Sequence, residues 1–158
     1  MRFTWIFIFR FLTASLVQFA LLLFPLRPSA EKFTIGLAAV STWLIQLCGG
    51  AVIRQGAILS APTRGFALEI LNGCNGVNVV VLLCAAIIAY PAKWKWRLLG
   101  LAGGIAAVQG FNFVRLISLF YLGQHNKPLF DFAHLYLWET LILLDAVVVF
   151  GWWSRRAA

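Results

Sequence analysis

The chain contains five nearly uninterrupted apolar runs, at roughly Trp5–Phe24, Thr34–Ile53, Asn75–Tyr90, Leu98–Leu122 and Leu135–Trp153. Crossing a hydrocarbon core of ~30 Å takes about 20 apolar residues in a helix. A helix also satisfies its own backbone, which lipid cannot do. With 62% hydrophobic and only 11% charged residues, a soluble domain of this size has too little interior to hide its apolar side chains. The expectation is therefore an all-α integral membrane protein of about five transmembrane helices, forming a single domain over residues 1–158. Pro25 and Pro28 break the chain after the first run, and Pro91 ends the third. The third run is the shortest and reaches a full span only with Gly73 and Cys74 included. Between runs two and three, the alternation of Phe66, Leu68 and Ile70 predicts a short strand or interfacial flap. The first run is too long, and lacks the small-residue cleavage pattern, for a signal peptide.

The net charge of +8 would suit nucleic acid, but the basic residues stand beside apolar runs rather than in a polar patch, so they read as membrane anchors and no nucleic-acid partner is expected. Counting them in the connections places Arg27, Lys32, Lys93, Lys95, Arg97, Arg155 and Arg156 on one side. Arg2, Arg10, Arg54, Arg64 and Lys127 fall on the other. The Lys-Trp-Lys-Trp-Arg cluster assigns the first side to the cytoplasm, with the N-terminus outside.

This topology gives the polar outliers a depth. Cys74 precedes Lys93, Arg115 follows Arg97 and His134 precedes Arg155. Each separation is about 20 residues, or roughly 27–32 Å of helix. A thiol, a guanidinium and an imidazole are thus expected at one height, the outer boundary of the membrane. A thiolate is a nucleophile whose pKa falls beside a positive charge. An imidazole can take the thiol proton and later protonate a leaving amine, and a guanidinium can hold an oxyanion. Gly73 and Gly76 would allow close approach of the backbone. Asn112, three residues before Arg115 on the same helical face, is placed to orient it or a substrate.

Other readings of these residues remain open. Arg115 can snorkel to the interface or pair with Glu139, and His134 can cap its helix beside Asp131. Cys48 and Cys84, inside apolar runs, read as packing residues, and His125 as a loop histidine. Asp145 is deep, with Gln109 as the expected partner. A polar path through Arg115, Glu139, Asp145 and Gln109 would suit a small transporter or channel subunit, and a non-catalytic factor that recognises tail helices is a third reading.

The segments "FALEILNGCNGVNVVVLL", "NFVRLISLFYL" and "FDFAHLYLWE" resemble, in order and spacing, the Cys-x-Gly, Asn-x-x-Arg and His segments of the exosortase/archaeosortase family, over about residues 52–150. The compact chain is similar to the small exosortase H class, whose substrates carry an IPTLxxWG-type C-terminal signal. The resemblance implies a cysteine peptidase or transpeptidase in a bacterial inner membrane, with its site facing the periplasm. Cys74 would be the nucleophile, Arg115 the transition-state stabiliser and His134 the acid/base. Asn72, Gly73, Asn75, Gly76, Asn112, Asp131, Trp138 and Glu139 would bind or orient the substrate. That substrate would be a secreted protein held in the lipid bilayer by a C-terminal sorting tail, resolved by an acceptor nucleophile that the sequence does not name. No metal or other cofactor is implied.

Overall fold

The computed structural model describes residues Arg2–Ala157, so Met1 and Ala158, the ends of the expected domain, lie outside the described residues. Helix α1 spans Arg2–Leu23 and α2 Arg27–Leu47, and three strands follow: β1 Ile53–Gln55, β2 Ile58–Ala61 and β3 Phe66–Glu69. Then come α3 Val77–Ala89, α4 Trp94–His125 and α5 Lys127–Phe132. A π-helical turn, Ala133–Leu137, leads into α6 Trp138–Ala157.

Among the described residues, three helical stretches are long and apolar enough to cross a membrane: Thr4–Leu23, Trp94–His125 and Lys127–Ala157. Helix α3 is apolar but has only 13 residues, about 20 Å of helix. Pro91 and the glycines before Val77 bound it on both sides.

Helices α1, α3, α4 and α6 form an antiparallel bundle. Arg10 and Thr13 of α1 lie beside Ile88 and Ala89 of α3, whereas Leu22 and Leu23 lie beside Val77 and Asn78. A Cβ on Gly104 of α4 would stand 2.9 Å from the Leu83 side chain of α3. Gly100 is covered by the Trp153 indole, whose Nε1 donates to the Trp96 carbonyl at 2.8 Å. Leu83, Ile87, Val108, Ile142 and Trp153 form the buried core of the bundle.

A second core lies over the Cys74 end. There Leu37, Ala38 and Ile45 of α2 and Leu59, Ala61 and Leu68 of the sheet pack on Leu116, Leu119 and Phe120 of α4. The sheet is antiparallel, ordered β1-β2-β3, with Ile58 opposite Glu69 and Ala61 opposite Phe66. The expected flap is thus a three-stranded meander. Leu59 and Ala61, Leu68 and Ile70 alternate inward as a half-buried strand requires.

This second core changes the expected placement of the first two helices. Helix α2, with Arg27, Glu31 and Lys32 in its first two turns, is not among the membrane-length apolar helices. It starts beside Asn72 and Gly73, and just past its end Gly50 packs against Tyr121, so it stays at the Cys74 end. The chain leaves the helix at Cys48, and the expected run to Ile53 becomes turn and strand. With one crossing removed from the series, α1 reverses. Arg27 and Lys32 belong to the Cys74 end, and Arg10 lies with Arg97 at the opposite end.

Candidate active site at the seam of two cores

Cys74 sits in the loop that starts α3, its N–H donating to the Leu71 carbonyl at 3.0 Å. The flanking glycines have left-handed backbones, φ 108° at Gly73 and 73° at Gly76, a conformation in which a Cβ is costly. At Gly76 a Cβ would also stand 3.2 Å from both Asn112 Nδ2 and Gln109 Nε2 of α4. Glycine there lets the loop lie directly on α4.

Asn75 fixes the loop in place. It is 2% exposed, its Nδ2 donates to Thr34 Oγ1 of α2 at 3.0 Å and to Asn72 Oδ1 at 3.4 Å, and its Oδ1 accepts the Val77 N–H at 3.1 Å. Gln109 Nε2 donates to the Asn75 carbonyl at 3.3 Å. Asn75 thus holds the loop between α2 and α4, while Asn72 and Gly73 face a separate cavity of about 300 Å³ beside Arg27.

Arg115 is the central charge. Its side chain is 2% exposed and pairs with Glu139 at 3.4 Å, and the same Nη2 donates towards Cys74 Sγ at 3.9 Å. One guanidinium therefore bridges α3's leading loop and α6. Its Nε has no partner, nor do Asn112 Oδ1 and His134 Nδ1. Asn112, expected to orient Arg115 or a substrate, donates to Gln109 Oε1 at 3.4 Å.

His134 lies in the π-helical turn, where the Trp138 N–H bonds to the Ala133 carbonyl, five residues back. At 100° per residue, an α-helix would set His134 and Glu139 about 140° apart. The wider turn brings them closer to one face. The ring stacks on Phe130 at 5.7 Å. Such turns recur at functional sites, and nothing in the residues "AHLYL" announces this one.

Burial pushes the Cys74 thiol above its ordinary pKa; the Arg115 guanidinium opposes this and the Glu139 carboxylate reinforces it. The resting thiol is therefore protonated at neutral pH and needs a base to become a nucleophile.

Several expected contacts are absent or different. Asp131 pairs with Lys127 at 2.8 Å on the exposed surface. Trp138 packs edge-on against Phe111 at 5.5 Å. Asp145 Oδ2 has no partner, because Gln109 is engaged with Asn75 and Asn112; the polar path of a transporter loses that step. Cys48 is exposed at the end of α2 rather than packed. His125 ends α4, its Nδ1 2.9 Å from the Tyr121 carbonyl oxygen.

A family model for transmembrane exosortases matches residues 1–152. The chain belongs to the transmembrane exosortase family. No curated protein and no solved structure matches it. The exosortase match extends further than the sequence motifs indicate, taking in α1 and α2 as well as the segments around Cys74, Arg115 and His134. In this exosortase the motif-bearing segments converge where the bundle meets the α2–sheet layer.

Proposed function

We propose that the protein is a membrane-embedded cysteine peptidase, and by extension a transpeptidase, that cleaves C-terminal sorting signals of secreted proteins at the outer face of a bacterial inner membrane. The observation that carries this reading is the nearly buried Arg115 guanidinium within 3.9 Å of the Cys74 sulfur. A substrate tail helix would bring its motif to the level of Cys74 while its basic end stays on the side of Lys93 and Arg97.

In this reading His134 removes the Cys74 proton, and the thiolate attacks the scissile carbonyl carbon. The oxyanion forms beside Arg115, whose forked donors suit it. Collapse breaks the C–N bond and His134 returns the proton to the departing amine, leaving a thioester on Cys74. An amine, hydroxyl or water then loses its proton to His134 and attacks the thioester, regenerating the thiol. His134 makes no hydrogen bond to Cys74 in this structure, but its Nδ1 is unpartnered. Catalytic hydrogen bonds often tighten only around substrate.

The test is cleavage of a co-expressed secreted protein bearing a motif, membrane helix and basic tail. The wild-type chain should release the tail, and Cys74→Ser should accumulate intact precursor. Normal processing by a stably inserted Cys74→Ser protein would overturn the reading.

A further inference from the structure

A cavity of about 640 Å³ opens between α1 and α3 at the end of the bundle away from Cys74. Its polar lining is Arg10, Thr13, Gln18 and Arg97, with Val17 and Ile88 beside them. Two guanidinium groups thus border one space at this end of the bundle.

Neither finds a carboxylate. The ion pairs among the described residues are Arg27–Glu31, Arg115–Glu139 and Lys127–Asp131. Arg97 donates one Nη hydrogen bond to the Tyr90 carbonyl at 3.0 Å, and its buried Nε has no partner. It stands in the first turn of the 32-residue α4, so the positive end of that helix adds to the field. Exposed Trp94 and Trp96 flank it, as aromatic residues do at the headgroup level.

We propose that this cavity binds the phosphate group of an anionic phospholipid, with Arg10 and Arg97 as its ligands and an acyl chain lying along Val17 and Ile88. The missing counter-charge has to come from outside the protein, and at a bilayer boundary the available anion is a lipid phosphate. The volume also favours lipid over free phosphate, since most of it is bounded by apolar side chains that inorganic phosphate would leave unused. This site is independent of the peptidase reading.

The test is lipid retention by the full chain, purified in detergent and read by native mass spectrometry against phosphatidylglycerol, phosphatidylcholine and inorganic phosphate. The wild type should retain phosphatidylglycerol over phosphatidylcholine. Arg10→Gln should weaken this by roughly 5-fold, and Arg10→Gln with Arg97→Gln by roughly 30-fold, at about one surface-charge increment per arginine. Lys95→Gln, a basic residue outside the cavity, should change it less than 2-fold on the same scale. Arg10 is exposed and makes no side-chain hydrogen bond among the described residues, so its replacement leaves the helix packing intact. Equal retention of the two lipids, or unchanged retention by Arg10→Gln, would overturn the proposal. Retention of inorganic phosphate that displaces the lipid without chain dependence would overturn its lipid part.

Discussion

The two cores of this molecule are built by different rules. The bundle core is apolar on every side and close-packed through glycines, as where Gly104 admits Leu83 and Gly100 admits Trp153. The core at the Cys74 end is that of a small α/β layer: one helix and a three-stranded sheet in which β2 and β3 turn one face inward while β1 is exposed. Helix α4 serves both, with Val108 in the first and Leu116 in the second. Asn112 and Arg115, its fully buried polar residues, fall between them. The difference teaches where polarity is tolerated. Neither core accepts a charge, but the seam supplies the Cys74 thiol from the loop before α3 and the Glu139 carboxylate from α6.

An all-or-none test of this division is labelling from either side of the membrane. With Cys48 and Cys74 replaced by Ala, cysteines introduced at Glu31 and Arg64 should label from one face and a cysteine at Lys95 from the other. Labelling of Glu31→Cys together with Lys95→Cys would make α2 a fifth span and dissolve the second core.

The next effect is chemical. Cys74→Ala should reduce cleavage by roughly 10⁶-fold, as for loss of a catalytic nucleophile, while Cys84→Ala, ten residues deeper in the bundle, keeps activity. Comparable losses in both would mean that the seam has no special status. Arg115→Lys preserves charge but not the fork and should slow turnover by about 10²–10³-fold, with capture of the tail helix little changed. Near-normal turnover by a folded Arg115→Lys protein would remove Arg115 from the chemistry and leave a pair of Cys74 and His134.

Smaller effects contrast glycines of the seam and the bundle. Gly76→Ala forces a Cβ into a left-handed backbone against Asn112 and should destabilise by about 1–2 kcal/mol. Gly103→Ala meets open space within α4 and should stabilise by up to about 1 kcal/mol. Thermal unfolding in detergent reads both, and equal shifts would mean that the loop does not rest on α4. The smallest effect is on the thiol. The Glu139 carboxylate raises the Cys74 pKa, so Glu139→Gln should lower it and move the pH profile of Cys74 alkylation to lower pH. Arg115→Gln should move the profile the other way. An upward shift in Glu139→Gln would show that the carboxylate acts mainly by positioning Arg115.

The bundle was legible because each of its elements announces itself locally. Apolar length marks α1 and α4, and Pro91 and the glycines around Cys74 bound α3. The nearness of Cys74 to Arg115 follows from counting along two antiparallel helices, which needs only the helical rise. The α2–sheet layer was less legible. In the run from Thr34 to Ile53, Leu37, Ala38 and Ile45 turn inward to a core of their own while Ile35, Val40, Trp43 and Leu47 are exposed, and hydropathy does not distinguish the two. Counted as a span, the run would reverse α1 and move Arg27 away from Asn72 and Gly73, beside which it lies. The π-helical turn was not legible at all, because nothing in the residues Ala133–Leu137 marks the widened hydrogen bonding.

The length of α4 carries a consequence for how the chain enters the bilayer. From Trp94 to Val114 it offers about 21 residues, roughly 32 Å of helix, before Arg115, which is one hydrocarbon thickness. Once seated, α4 therefore does not hold the Arg115 guanidinium at the bilayer centre, a position that costs about 2.5–3.5 kcal/mol. The remaining two to three turns emerge as a rigid stalk. Biogenesis thus has a natural order: the lower helix anchors first, the stalk stands clear of the lipid, and α2 and the strands fold on it as on a template.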